Sequence, residues 1–344
     1  MGSSRMRRRT MDIRILGRSG LKVPELCLGT MTFGNQADPA TSHAILDSAF
    51  DAGVYFIDTA DVYPLGGTIE QLGATETIVG QWLQGKRNQV VLATKCFGRM
   101  GAGPNDGGLG RRHIMDAVDA SLRRLGTDYI DLYQAHQFDA ATPLEETLRA
   151  FDDLVRSGKV RYIGVSNWRA WQLEKALGIT DIRNLTRISS VQPRYNLLFR
   201  MIEDELVPAC LDEGVGIISY NPLAGGMLTG RYQPGQEVEA GSRFALGGVS
   251  GAGALYQQRY WQQTTFETVE RYRRWCQERG LQATTTAVKW VSQQPGITSA
   301  IIGASRPEQL TDSLAATAAR SLTQEELDDL NQLWFSLPRR QETR

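Results

Sequence analysis

The chain has 344 residues, 41% of them hydrophobic and 22% charged, enough to fill a buried core in one large domain or two ordinary ones. Lysine plus arginine equals aspartate plus glutamate at 38 each, so no global charge draws the protein to nucleic acid or to a membrane surface. Cys27, Cys96, Cys210 and Cys276 are scattered like His43, His113 and His136, which argues against a metal site and for reduced thiols in the cytoplasm.

In chain order, residues 1–11 are basic but lack the apolar stretch of a secretory signal, and read as a disordered leader or a remnant of the expression vector. No apolar run approaches ~18 residues, so no membrane span is expected. Residues 12–23 read as a β-hairpin around Gly17-Arg18-Ser19-Gly20, placed to plug the floor of a barrel. Strands are then expected at 25–28, 55–58, 89–94, 129–134, 160–165, 188–192, 216–220 and 299–302, mostly as near-continuous apolar runs. Helices are expected between them at 42–52, 76–84, 112–125, 143–157, 170–177, 202–212 and 284–293, and after them at 307–318. A further helix at 323–333 opens with Thr323 and, three residues on, Glu326, a capping-box pattern. Residues 224–260 read as a long, irregular, Gly-rich loop.

Eight strand-then-helix units predict an α/β fold, a (β/α)8 TIM barrel with an N-terminal β-hairpin and an extra C-terminal helix, as one domain over 12–337. The alternative is an open doubly wound sheet. It is weakened because no strand is followed by the G-x-G-x-x-G phosphate turn.

In such a barrel the active site lies at the C-terminal ends of the strands. Asp58 closes the second expected strand, Lys95 follows the third and His136 follows the fourth, with Tyr63 in the loop at the same rim. Each alone has a bland reading, as a cap, a snorkelling lysine or a core histidine. Together they suit proton transfer to a carbonyl oxygen. A phenol with a reference pKa of ~10 is a weak acid, and an ammonium beside it favours the phenolate. Asp58 would keep Lys95 charged and oriented, and His136 would hydrogen-bond the developing alkoxide.

The motifs around these residues are specific: Gly-Val-Tyr-Phe-Ile-Asp-Thr-Ala-Asp-Val-Tyr at 53–63, Leu-Gly-Thr-Asp-Tyr-Ile-Asp-Leu-Tyr at 125–133, and Gly-Lys-Val-Arg-Tyr-Ile-Gly-Val-Ser-Asn at 158–167. On them the chain resembles the aldo-keto reductase superfamily from about residue 13 to 334, and within it a bacterial subset related to potassium-channel β-subunits. The resemblance implies Tyr63 as proton donor, Asp58 and Lys95 as its partners, and His136 as the residue that orients the substrate.

It also implies a nicotinamide cofactor. Ser166, Asn167 and Gln192 match the residues that hold the carboxamide, and Tyr220 the aromatic that stacks on the nicotinamide ring. The segment Asn221, Pro222, Leu223, Ala224, Gly225, Leu228, Gly230 and Arg231 resembles the family's belt over the pyrophosphate, to which Arg243 would add a phosphate contact. Gly29, Thr30 and Met31, with Asp58, would flank the nicotinamide ribose. Gly303, Ser305 and Arg306 open an expected helix with Pro307 in its first turn, a arrangement that suits an anion. This matches the family's site for the adenosine 2′-phosphate, so the cofactor is expected to be NADP(H). Gln309, Asp312 and Ser313 would lie near the adenine.

The sequence departs from the family pattern at Ile302, where proline is frequent, and at Asn221, where serine is. The segments 64–75, 97–110 and 224–260 are expected to wall the substrate pocket, with Phe33, Phe138 and Trp168 as candidate apolar liners or, equally, core residues. The expected function is NADPH-dependent reduction of aldehydes or ketones, with a small-molecule carbonyl substrate and no nucleic-acid or membrane partner. Homo-oligomerisation is left open. The competing reading is a redox-sensing regulatory subunit that binds NADP(H) and turns over little. A metal-dependent barrel isomerase is disfavoured for want of a carboxylate and histidine cluster.

Overall fold

The apolar runs become parallel strands covered on both faces. In the computed structural model, which describes residues 11–247 and 251–338, they close a barrel. Its strands are β3 (Leu26–Gly29), β4 (Phe56–Asp58), β5 (Val91–Cys96), β6 (Ile130–Ala135), β7 (Val160–Ser166), β8 (Ser190–Gln192), β9 (Gly216–Tyr220) and β10 (Ile297–Ile302). Each pairs with the next, and β10 returns to β3 with Ala300 opposite Leu26. Helices α1 (Pro39–Asp51), α2 (Ala74–Trp82), α3 (Arg111–Leu125), α4 (Leu144–Arg156), α5 (Ala170–Arg183) and α6 (Leu206–Glu213) follow the first six strands in turn. The expected (β/α)8 barrel is the observed fold.

Two cores result from the period-2 alternation of strand side chains. Outward residues such as Leu28, Ile57, Leu92 and Tyr133 pack beneath the helices. Inward residues Cys27, Phe56, Ala93, Leu132 and Ile218 fill the barrel axis. The expected hairpin is present as β1 (Ile13–Ile15) paired with β2 (Lys22–Pro24). Leu16 and Val23 from it are fully buried in the axial core and close the barrel floor. At its turn Gly17 has φ +56°, and a Cβ there would lie 2.6 Å from the Gly214 carbonyl oxygen and 2.7 Å from that of Ser189. Glycine is required by this close approach as well as by its backbone angle.

Several boundaries shift. The third barrel strand runs 91–96 and not 89–94, because Arg87–Gln89 form a single 3-10 turn before it. Residues 201–203 likewise form a 3-10 turn, so α6 starts at Leu206. The stretch 224–260 is less irregular than expected: it ends in α7 (Ala252–Tyr260). A 16-residue helix, α8 (Gln263–Glu278), follows it and is absent from the sequence reading. Its buried face carries Thr265, Phe266, Thr268, Val269, Tyr272 and Cys276, and the two threonines blur the apolar periodicity. After it come α9 (Ala283–Ser292), α10 (Leu310–Ala318) and α11 (Gln324–Phe335). The capping box forms at α11: the Glu326 amide donates to Thr323 Oγ1 (3.3 Å) and the Thr323 amide to Glu326 Oε2 (2.8 Å). The expected leader lies outside the described residues except for Met11.

Candidate active site

The alternation that fills the axis also builds the site. Two residues beyond an inward apolar side chain, the next inward position reaches the C-terminal rim. Thus Phe56 leads to Asp58, Ala93 to Lys95, Leu132 to Gln134 and then His136, and Ile218 to Tyr220. Adjacent strands put these groups side by side, with Lys95 opposite Gln134 across β5 and β6.

Asp58 is the hub. The Lys95 ammonium donates to Asp58 Oδ1, and also to the Thr59 carbonyl at 2.8 Å. Gln134 Nε2 and Gln192 Nε2 donate to Asp58 Oδ2 at 2.9 and 2.8 Å. A buried carboxyl group with this many donors is held in one orientation. Gln134 was not among the expected site residues. Its signal was positional, two residues after Leu132 and two before His136 on the inward face.

Tyr63 is 9% exposed, with Lys95 Nζ 5.3 Å from its ring centroid and the His136 ring edge-on at 5.7 Å. Burial lifts the Tyr63 phenol above its ordinary value; the Lys95 charge pulls the other way and Asp58 adds to the lift. The expectation that Lys95 makes this phenol a stronger acid therefore holds for its own contribution but not for the sum. Burial depresses Lys95, but Asp58, by charge and hydrogen bond, together with Tyr63 and Cys27 outweighs it and holds the ammonium above its usual range. His136 is pushed down to about 3, first by burial and then by the Lys95 charge. At neutral pH the site thus presents a protonated phenol, a charged ammonium and a neutral imidazole.

Asn167 follows β7 with φ 61°, a left-handed conformation that asparagine tolerates. Its Nδ2 donates to the His136 carbonyl and to Ser166 Oγ, both at 3.0 Å, and its Oδ1 accepts from the Tyr220 hydroxyl at 2.9 Å. Ser166 Oγ donates in turn to the Gln192 carbonyl at 2.9 Å. One web thus ties β6, β7, β8 and β9 together at the rim.

Above the rim lies a cavity of about 670 Å³, within the usual range of small-molecule sites. It runs from Tyr63, His136 and Phe97 to Ser305, Gln309 and Asp312, and the segment 230–247 crosses it. That segment is pinned by Gln36 Nε2 donating to the Gly241 carbonyl and by Arg243 Nη1 on Met31 Sδ at 3.2 Å.

A family model described as Aldo/keto reductase family matches residues 25–334. The chain belongs to the aldo/keto reductase family. It is 40% identical to an uncharacterized oxidoreductase, YrpG, of Bacillus subtilis, over 94% of this chain and 96% of that one. It is 36% identical to a probable voltage-gated potassium channel subunit beta of Arabidopsis thaliana, over 97% and 99%. It is 31% identical to an L-glyceraldehyde 3-phosphate reductase of Escherichia coli, over 94% and 92%. This aldo/keto reductase is accordingly an oxidoreductase, of a family that uses nicotinamide dinucleotides.

The donor set along the cavity suits such a cofactor. Gly29, Thr30, Met31, Asp58, Ser166, Asn167, Gln192 and Tyr220 line its inner end. Asn221, Pro222, Leu223, Gly225, Arg231 and Arg243 line its middle, and Gly303, Ser305, Gln309 and Asp312 its outer end. Amides at one end, guanidinia in the middle and a hydroxyl with amides at the other fit a carboxamide, a pyrophosphate and an adenosine in that order.

Other expected contacts sit elsewhere. Ala224 and Leu228 are fully buried in core packing, and Gly230 caps its turn with φ 75°. Ser313 is buried and Arg306 is exposed, both off the cavity lining. The Ser305–Pro307 segment does not open a helix directly. Pro307–Gln309 form a 3-10 turn, α10 begins at Leu310, and Gln309 Oε1 already accepts from the Ser305 amide at 2.8 Å. Lys95 is fully buried beneath Asp58 and does not line the cavity.

The segments 64–75, 97–110 and 224–260 supply wall residues as expected, but the named apolar liners differ. Phe33 and Trp168 are buried in the core, and Phe138 stacks edge-on against Trp168 at 5.0 Å, so none is a liner. Val62, Leu65, Phe97, Gln137, Tyr256 and Arg259 take that place. The last two ride on α7, inside the stretch read as irregular.

Proposed function

We propose that the protein is an NADPH-dependent reductase of aldehydes or ketones, with Tyr63 as proton donor. The observation that carries this is the meeting of a protonated Tyr63, the Lys95–Asp58 pair and a neutral His136 at the inner end of one cavity. When bound, the cofactor supplies hydride from nicotinamide C4 to the carbonyl carbon. His136, neutral, donates an N–H to the carbonyl oxygen and orients it toward Tyr63. As charge develops on that oxygen, Tyr63 passes its hydroxyl proton there, and the Lys95 charge stabilises the phenolate left behind. Asp58, held by Gln134 and Gln192, keeps the ammonium beside the ring.

The preference for NADP(H) over NAD(H) rests on Arg306, exposed beside Ser305, whose guanidinium has no hydrogen bond or ion pair among the described residues. Arg306→Ala should raise KM for NADPH about tenfold or more while leaving that for NADH nearly unchanged; equal effects would remove the 2′-phosphate site. Buried thiols at Cys27, Cys96, Cys210 and Cys276 agree with a cytoplasmic location.

The second reading, an NADP(H)-binding regulatory subunit, is favoured by the likeness to a potassium channel subunit beta. Multiple turnovers of a reactive aldehyde, followed by loss of NADPH absorbance, support the reductase. One turnover or fewer per chain supports the regulatory subunit.

A further inference from the structure

Arg259 lies on α7 one helical turn beyond Tyr256, so both side chains share the face that lines the cavity. It is one of the guanidinia there, with Arg231 and Arg243. The other two have partners: Arg231 is paired with Glu239, and Arg243 contacts Met31 Sδ and lies over the Tyr256 ring at 5.4 Å. Arg259 is half-buried, and its guanidinium makes no hydrogen bond, ion pair or ring contact among the described residues. The acidic residues of the lining are Asp58 and Asp312, and neither is available to it. Asp58 is committed to Lys95, and Asp312 Oδ2 accepts from Gln282 at 2.8 Å. An unpaired guanidinium in a cleft costs free energy that a ligand anion can offset.

Its place in the cleft narrows what that anion belongs to. Arg231 and Arg243 come from the segment that crosses the cavity, whereas Arg259 comes from α7, one turn from Tyr256 in the same lining. Its charge is the strongest one opposing the burial that lifts the Tyr220 phenol, and Tyr220 and Tyr256 both act on Tyr63. Gln137, next to His136, and Phe97 line the same cavity and add an amide and an apolar ring to it.

We infer that Arg259 is a specificity-determining residue that selects carbonyl substrates carrying a carboxylate or phosphate. The inference rests on the reading that the protein reduces carbonyl compounds. The cofactor's own pyrophosphate offers the same chemistry, so the test must separate the two.

The kcat/KM of the full chain is measured with NADPH for matched pairs, glyceraldehyde against glyceraldehyde 3-phosphate and benzaldehyde against 3- and 4-carboxybenzaldehyde. NADPH affinity is titrated in parallel by fluorescence. Arg259→Ala should lower the ratio of anionic to neutral kcat/KM by about 10- to 100-fold for at least one pair, mainly through KM. Arg259→Lys should retain part of that ratio, and NADPH affinity should stay within about twofold. A parallel loss for both members of every pair, with weakened NADPH binding, would assign Arg259 to the cofactor and overturn the inference. So would an unchanged ratio in all pairs. If the wild-type chain reduces no aldehyde at all, the reductase reading itself fails, and the inference with it.

Discussion

Asp58 accepts from Lys95, Gln134 and Gln192, so removing one donor should loosen the catalytic ammonium without emptying the site. Gln134→Leu is expected to lower kcat about tenfold with little change in KM, since a hydrogen bond to a charged group contributes about 1.5–3 kcal/mol. Steady-state kinetics with thermal melting as a fold control would check it. His136 gives a pH prediction. Its folded pKa of about 3 lies below the ordinary 6.5, so on acidification the unfolded chain takes up a proton that the folded one refuses. This contribution is neutral above the unfolded pKa and destabilises progressively as pH falls through that window. His136→Gln should therefore lose less Tm than the wild type between about pH 7 and pH 5. An identical slope in both proteins would contradict the burial argument.

Helices α2 and α3 meet behind the site through Glu76, which is fully buried. It accepts from Thr94 Oγ1 at 2.6 Å and from Arg124 Nε at 2.7 Å. Thr94 precedes Lys95 on β5, so this contact also fixes the strand that carries the ammonium. Glu76→Ala leaves the Arg124 guanidinium without its buried partner and should cost about 3 kcal/mol, read by denaturant unfolding. Glu76→Gln should cost less, since an amide oxygen still accepts. The elements were legible to different degrees. Strands such as 216–220 and 299–302 announce themselves because residues buried on both faces leave a near-continuous apolar run. Helix α8 did not, because Thr265 and Thr268 share its buried face with Phe266 and Tyr272. For Phe33 and Trp168 sequence left pocket liner and core residue open, and both are core, because sequence gives the side of a strand or loop and not the packing depth reached in three dimensions.

The whole molecule is a barrel closed at the floor by its hairpin and open at the rim to its cavity. Leu16→Ala should remove the plug's main apolar contact, costing about 2–5 kcal/mol in denaturant unfolding while leaving KM values near wild type. The tetrad was legible because strand alternation forces its members to one rim. The segment 224–260 was legible as a pocket wall, but not Tyr256 and Arg259 as its liners, because nothing local in residues 252–260 says which face returns over the barrel. The account's central claim is that Tyr63 delivers the proton at this rim. Its most direct test is the rate of NADPH absorbance loss with a reactive aromatic aldehyde, compared between wild type and Tyr63→Phe at equal cofactor occupancy. A fall of about 10²- to 10⁴-fold in kcat with NADPH affinity preserved is predicted; comparable rates in the two proteins would contradict it.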